Sequence, residues 1–355
     1  MKYLAILSIV ILGIASCKKP EEKEFDRGAM LENMASGHII PGYQTLQADL
    51  SNLKASSTIF TDATSLDNLN ELRSSFMTAY LSFQRVKMYD FGPAGDYAFK
   101  ASSNTYPTDA DKINANIEAG SYILGSAANT DAIGLPAIDY LLYSGTDTEV
   151  INRFTVDTYA ANALTYLNDL IEKMQEELDL VVNQWTSTYK ASFIAANGTD
   201  VGSSISLMFN EWVKDIELLK NAKIGIPGGQ FSGGEVFPAY VEAYYSGNSQ
   251  ALALESLTAL KNVYTGGTGQ GFDDYMTFAF DNGDTQVPST EISNQFDVCY
   301  TSIAGLGNPF SEDIPVNFDG FGATFQEIKK LVAYTKTDIP AAIGVLITFS
   351  DTDGD

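Results

Sequence analysis

Residues 164–185 read LTYLNDLIEKMQEELDLVVNQW, and the spacing of their apolar positions predicts a long amphipathic helix. The apolar positions in three-four alternation are Leu164, Leu167, Ile171, Met174, Leu178, Val181 and Trp185. This spacing places them on one helical face, and such a face is typical of a helix within a bundle. Helix packing, rather than sheet formation, is therefore expected to organise this chain.

The same three-four periodicity recurs on both sides of this stretch. It is found at residues 69–83, 205–219, 249–264, 325–332 and 340–347. No stretch of the sequence shows sustained alternation with a period of two, which would indicate strands. We predict an all-α protein. The Gly- and Ser-containing segment from Asn197 to Ser204 divides it into two helical domains, residues 29–200 and 201–350.

One segment of the carboxy-terminal half lacks a helical pattern. The stretch from Asp281 to Pro315 contains Pro288, Pro309 and Pro315. Because proline interrupts helices, we predict a long surface loop here, of the kind that often lies at functional faces.

The start of the chain resembles an export signal. Residues 1–17 contain a basic Lys2, an apolar run from Leu4 to Ile14 that is too short to span a membrane, and a small-residue segment ending at Cys17. Residues 14–17 (IASC) resemble a lipobox, which predicts acylation of Cys17 and a stable membrane anchor. The alternative is a plain secretory signal with an incidental cysteine. Residues 18–28 predict a flexible tether, and the lysine at position 18 favours the outer membrane.

Composition excludes several classes of function. The formal charge of −24 and the pI near 4.2 argue against nucleic acid or an anionic lipid surface as partner. With Cys17 acylated, Cys299 is the one cysteine left, so an intrachain disulfide is excluded. His38 is the single histidine, so no multi-histidine metal site can form.

Residues 134–142 (GLPAIDYLL) resemble the G-x-H-x-x-E segment of the imelysin-like family. Gly134 matches, Pro136 replaces the histidine, and Asp139 replaces the glutamate. Three further segments resemble the family pattern in the correct order: residues 38–43 (HIIPGY), residues 83–93 (FQRVKMYDFGP) and residues 244–249 (YYSGNS).

The resemblance implies two helical domains, each like a four-helix bundle, with the segment containing Gly134, Pro136 and Asp139 facing the cleft between them. The family was defined by a proposed metallopeptidase activity, and other members are envelope binding components of iron-acquisition systems. Pro136 can neither ligate a metal nor titrate, and the side chain of Asp139 is one methylene shorter than glutamate. A divalent or ferric ion is the cofactor that the family implies, but its ligands in this chain are unknown.

Asp139 has two interpretations, either the surviving polar group of the cleft or an exposed or capping carboxylate. Pro136 is expected in the first turn of its helix, where its missing N–H costs nothing. His38, beside two isoleucines, is interpreted as a packing residue. Arg85 and Lys87 either bind an anion, pair with Asp90 or lie on a solvated helix face, and the last is favoured.

Three further patterns give little indication of function. Cys299 lacks a neighbouring basic residue, so it is not predicted to be a nucleophile. Residues 351–355 (DTDGD) open like a calcium loop but end before its remaining ligands. The Gly266–Gly271 run follows a helix and predicts a flexible turn rather than a nucleotide site.

The leading hypothesis is a lipid-anchored outer-membrane protein without peptidase activity that binds iron, haem, a chelate or a peptide. One alternative is a metallopeptidase that uses carboxylate ligands, which would need at least three carboxylates converging around Asp139. The other is a structural or adhesive surface lipoprotein, which predicts no concave polar pocket.

Overall fold

The computed structural model describes residues 24–349, and in this range the chain forms helices and no strands. The α-helices of the amino-terminal part are α1 (Arg27–Asn33), α2 (Ile40–Asp62), α3 (Leu66–Gln84), α4 (Pro93–Asp96), α5 (Phe99–Ser103), α6 (Ala110–Ala119), α7 (Gly134–Tyr143), α8 (Asp147–Thr155), α9 (Ala160–Gln184) and α10 (Lys190–Ala195). Those that follow are α11 (Ser204–Leu218), α12 (Ser249–Thr265), α13 (Phe272–Asn282), α14 (Ser289–Ala304), α15 (Phe310–Asp313), α16 (Phe318–Ala333) and α17 (Ile339–Ile343). π-helical turns occupy Met34–Ile39, Trp185–Tyr189, Leu219–Gly225 and Tyr334–Asp338, and 3₁₀ turns occupy Ala127–Ala132 and Pro238–Tyr240.

The predicted all-α class is confirmed, and α9 has the predicted buried face. Of its seven periodic positions, Leu164 is half-buried and the other six, through Trp185 in the π-helical turn that follows, are buried. Helix α9 packs against α2, which also packs against α3. The apolar face therefore lies in the core of the amino-terminal helices.

The helices form two sets of contacts. In the carboxy-terminal half, α12 packs against α14, and α14 packs against α16. Contacts between α3 and α12 join the two halves. The predicted boundary falls in the non-helical stretch between α10 and α11, whereas independent folding of residues 29–200 and 201–350 stays a prediction.

The predicted loop between Asp281 and Pro315 is wrong, because this segment contains α14 and α15. Two of its three prolines directly precede helices: Pro288 is the residue before α14 and Pro309 the residue before α15. At these positions the missing N–H of proline costs no helical hydrogen bond. Four apolar residues of α14 at helical spacing are buried, namely Ile292, Phe296, Cys299 and Ile303.

The chain is already packed where the predicted tether ends. The ring of Phe25 stacks on Tyr275 with centroids 4.3 Å apart, and the side chain of Asp26 caps α1. Residues 1–23, with Cys17, and residues 350–355, with the calcium-like pattern, lie outside the described residues. Within residues 24–349, no helix combines the length and the apolar character needed to cross a membrane.

A tyrosine-lined cleft around Asp139

Gly134 begins α7 in a conformation that side chains rarely adopt. Its φ angle is +74°, and a Cβ atom at this position would lie 2.3 Å from the carbonyl oxygen of Ser103. The absence of a side chain therefore lets α7 start against the end of α5. Pro136 lies in the first turn of α7, as predicted, and is buried.

Asp139 lies on the buried face of α7, with only 1% of its surface exposed. Its Oδ2 atom accepts hydrogen bonds from the backbone N–H groups of Tyr245 (2.9 Å) and Ser246 (3.3 Å). Its Oδ1 atom is buried and has no hydrogen-bond partner among the described residues. Burial raises the pKa of Asp139 to about 6, although the hydrogen bonds from Ser246 and Tyr245 lower it in part.

The loop that donates to Asp139 is held by the other half of the chain. The Glu242 carboxylate accepts hydrogen bonds from Gln84 Nε2 (3.0 Å) and Asn104 Nδ2 (2.7 Å), and it pairs with Lys223. The next residue, Ala243, has a φ of +52°, an uncommon conformation for a residue with a side chain. These bonds fix the direction of the N–H groups that bind Asp139.

Asp139 lines a small pocket of about 140 Å³, here called the inner pocket. Its wall consists of Tyr106, Pro107, Thr108, Pro136, Asp139, Ala239, Tyr240, Val241, Ala243, Tyr244 and Tyr245. Tyr244 and Tyr245 also line an open groove of about 620 Å³, here called the outer groove. Its other residues are Tyr143, Ser144, Gly145, Pro238, Ser246, Gly247, Pro309, Ser311 and Glu312. Both spaces lie between segments from the two halves of the chain.

The residues present do not fit the resident metal that the family implies. Within residues 24–349, no group of three or more histidine, cysteine, aspartate or glutamate side chains is arranged to hold a metal ion. Pro136 offers no ligand atom, and Asp139 is the one carboxylate of the inner pocket. The metallopeptidase alternative requires at least three carboxylates around Asp139. This requirement is not met in the described part of the chain.

The favoured interpretation of Lys87 as a solvated residue is wrong. Lys87 is buried and its ammonium pairs with Asp215 of α11, which also accepts a hydrogen bond from Lys100 at 3.0 Å. Arg85 is half-exposed and pairs with Glu255 of α12 rather than with Asp90. Both basic residues thus join the amino-terminal half to the carboxy-terminal half.

The remaining candidates lie away from the cleft. His38 is half-buried beside Arg85 in a shallow groove and lines neither the inner pocket nor the outer groove. Burial raises the pKa of the Cys299 thiol to about 12, which fits the prediction that it is not a nucleophile. The Gly266–Gly271 run forms the turn between α12 and α13, and the Asn33 amide donates to two of its carbonyl oxygens.

Sequence reasoning missed the tyrosines of the cleft. Tyr106 is far in the sequence from Tyr240 and Tyr244, and of these three only Tyr244 belonged to a segment that resembles the family pattern. The available signal was the density of tyrosine in residues 240–245, where three of six residues are tyrosine.

The raised pKa of Asp139 predicts a pH-dependent cost to stability. Because the folded state holds this proton more tightly than the unfolded state, stability falls as pH rises from about 4 to about 6, by about 3 kcal/mol. Asp139→Asn keeps an oxygen for the two backbone donors and removes the titration. Urea unfolding of both proteins between pH 4 and pH 7.5 should show the variant gaining stability relative to the wild type as pH rises. If the difference in stability between the two proteins does not change with pH, titration of Asp139 is not the cause.

The sequence matches the family model described as imelysin (peptidase M75) over residues 39–336. It is 21% identical over 238 residues to iron-regulated protein A of Synechococcus elongatus, covering 66% of this chain and 63% of that protein, less than two thirds of its length. The fold is similar to a crystal structure described as an iron-regulated protein A precursor from Parabacteroides distasonis, with a TM-score of 0.75 and 16% identity over 93% of this chain and 96% of that one. An imelysin-like protein from Psychrobacter arcticum gives a TM-score of 0.66 and 16% identity over 91% and 97% of the two chains.

Proposed function

The chain belongs to the imelysin family, and on this premise we propose that it is a lipid-anchored envelope protein that binds an iron-containing ligand in the cleft and has no peptidase activity. One observation carries the binding role. Asp139 lines a pocket that opens between the two halves, and one of its carboxylate oxygens is buried without a hydrogen-bond partner in the described chain. An unpaired buried acceptor costs free energy, and a ligand that supplies a donor would remove this cost.

The pocket also supports the proposal over a structural or adhesive role. That alternative predicts no concave polar pocket, whereas the inner pocket and the outer groove are concave and polar at their tyrosine and carboxylate groups. The link to iron rests on the relatives: two of the similar proteins are described as iron-regulated protein A or its precursor.

The absence of peptidase activity rests on the altered motif. Pro136 stands where the family pattern has a histidine, and proline neither binds a metal nor moves a proton. Asp139 is left without a second carboxylate in the inner pocket. A single buried carboxylate can hold a ligand, but it supplies neither the metal site nor the base that metal-assisted hydrolysis uses.

Binding is tested with radioactive iron. The purified protein should retain at least one ferric complex in equilibrium dialysis when ferric citrate and ferrioxamine B are offered separately. Tyr244→Ala should weaken the retained complex about fivefold or more, because an aromatic contact contributes about 1 kcal/mol or more. Tyr300→Ala is the matched control, since Tyr300 is 45% exposed and Tyr244 41%, and Tyr300 lines neither space. Retention of neither complex, or equal losses in the two variants, would overturn the proposal.

Membrane attachment is tested at Cys17. Cys17→Ser removes the thiol that would be acylated, so the protein should move from the membrane fraction to the soluble envelope fraction. Helical content, measured by circular dichroism, should not change. A Cys17→Ser protein that still requires detergent would show that the anchor lies elsewhere.

A further inference from the structure

The walls of the cleft carry negative charge and no positive charge. Asp139 and Glu312 are the charged residues among those that line the inner pocket and the outer groove, and neither space is lined by lysine, arginine or histidine. An anionic ligand would therefore lose its hydration without gaining a cationic partner, which is costly in a buried site.

The two neighbouring arginines do not change this balance. Arg73 lies 4.8 Å from the ring centroid of Tyr143 but is paired with Asp147. The guanidinium of Arg153 lies 5.2 Å from the ring centroid of Tyr140, on α7. Its N–H groups donate to the carbonyl oxygens of Leu141 (2.6 Å) and Ser144 (3.1 Å) and to the Ser144 hydroxyl (2.7 Å). Arg153 is thus engaged with the end of α7 and is not among the residues lining either space.

Asp139 marks the position where a positive group would bind. Its Oδ2 atom already accepts two backbone hydrogen bonds, whereas Oδ1 has none among residues 24–349. A cationic donor at Oδ1 would form a charge-assisted hydrogen bond, which is about twice as strong as a neutral one. The inner pocket, at about 140 Å³, has room for a small group such as an ammonium and its methylene stem.

The tyrosines favour the same class of ligand. Tyr240 and Tyr244 are 45% and 41% exposed at the cleft, so parts of their rings are open to a ligand. The face of an aromatic ring carries partial negative charge and attracts cations within about 6 Å. The net charge of −24 for the whole chain also favours the approach of cations over anions.

We propose that the cleft selects ligands with a positively charged amine, which binds Asp139 Oδ1 in the inner pocket while the body of the ligand lies in the outer groove. This inference rests on the proposed function, and it specifies that the iron complexes bound are cationic. Anionic complexes such as ferric citrate are excluded by the carboxylates of Asp139 and Glu312.

The test uses two iron complexes that differ in one charge. Ferrioxamine B carries a free ammonium, and its N-acetylated form carries a neutral amide in the same place. By titration calorimetry, the wild type should bind ferrioxamine B at least about tenfold more tightly than the acetylated form, as expected for a hydrogen bond between charged groups. Asp139→Asn should lose this preference, and Tyr300→Ala should keep it. Glu312→Gln, at the outer groove, is a second variant and should reduce the preference about two- to threefold.

The outcomes separate this inference from the proposed function. If ferric citrate binds in the cleft and the acetylated complex binds as tightly as ferrioxamine B, the proposed selection for a positive charge is wrong, whereas the proposed iron binding stands. If metal-free desferrioxamine B binds as tightly as the iron complex, and its acetylated form does not, selection for charge stands while the iron assignment is wrong. If none of these compounds binds, both are wrong.

Discussion

Asp215→Asn is expected to lower the free energy of unfolding by about 4 kcal/mol at pH 7, because it leaves two buried ammonium groups without their counter-charge. Asp215 is fully buried on α11 and pairs with Lys87 and Lys100 from the amino-terminal half. Lys87 is also buried, and the Lys100 side chain is only 16% exposed. Water can therefore replace little of the lost interaction.

The pKa values give the pH range of this effect. Burial alone would raise the pKa of Asp215, but Lys87 and Lys100 hold it well below its ordinary value. A depressed carboxyl pKa contributes stability that is fully present above the unfolded pKa of about 4 and is lost in stronger acid. Burial lowers the pKa of Lys87, and Asp215 opposes this shift. Without Asp215, Lys87 should release its proton more easily, so the deficit of the variant should shrink as pH rises above 7.

Urea unfolding followed by circular dichroism measures the difference. Asp297→Asn is the control, since Asp297 also pairs with a lysine, Lys261, but its side chain is 64% exposed. A pair at the surface contributes about 1 kcal/mol or less, so this variant should change little. Similar losses in the two variants would show that burial of the Asp215 cluster does not matter for stability.

The sequence predicts buried helical faces well where they are apolar and poorly where they carry charge. The face of α9 has only apolar residues at its periodic positions, and its burial follows directly from their spacing. Asp215 and Lys223 fall on one face with Trp212 and Leu219, at the same three-four spacing. A charged residue on such a face has no visible partner in the sequence, because Lys87 and Lys100 come from the other half of the chain.

Prolines caused the main error in the fold. The number of prolines between Asp281 and Pro315 suggested a loop, but the position of each proline relative to a helix start decides its effect. Pro288 and Pro309 precede helices, and the apolar spacing from Ile292 to Ile303 could have revealed α14. Counting prolines without testing the periodicity between them led to the wrong prediction.

The candidate site could be predicted only in part. Resemblance to the family pattern drew attention to Asp139, and its two interpretations could not be separated by local sequence. The backbone N–H groups that donate to Asp139 belong to Tyr245 and Ser246, which are more than a hundred positions away in the sequence. The direction of their N–H groups depends on Glu242 and its partners from the other half. Such a geometry is a tertiary property, which periodicity does not encode.

Gly134→Ala should lower the free energy of unfolding by about 4 kcal/mol, the sum of backbone strain at positive φ and overpacking. The new Cβ atom would lie 2.3 Å from the carbonyl oxygen of Ser103 and 2.7 Å from that of Ser102. Both neighbours are backbone atoms, so a side-chain rotation cannot relieve the overlap. Helix α7 would have to move away from α5 and would carry Asp139 with it.

Gly283→Ala distinguishes the cost of backbone strain from the cost of the overlap. Gly283 has a φ of +82° at the end of α13, but no heavy atom lies within 4 Å of the position that a Cβ would take. This variant has the backbone strain without the overlap and should lose only about 1 kcal/mol. If urea unfolding gives equal losses for the two variants, the close approach of α5 and α7 does not explain the glycine. If Gly134→Ala alone is strongly destabilised, the first position of the family pattern is glycine because of packing. The glycine then sets the distance at which α7 presents Asp139 to the cleft.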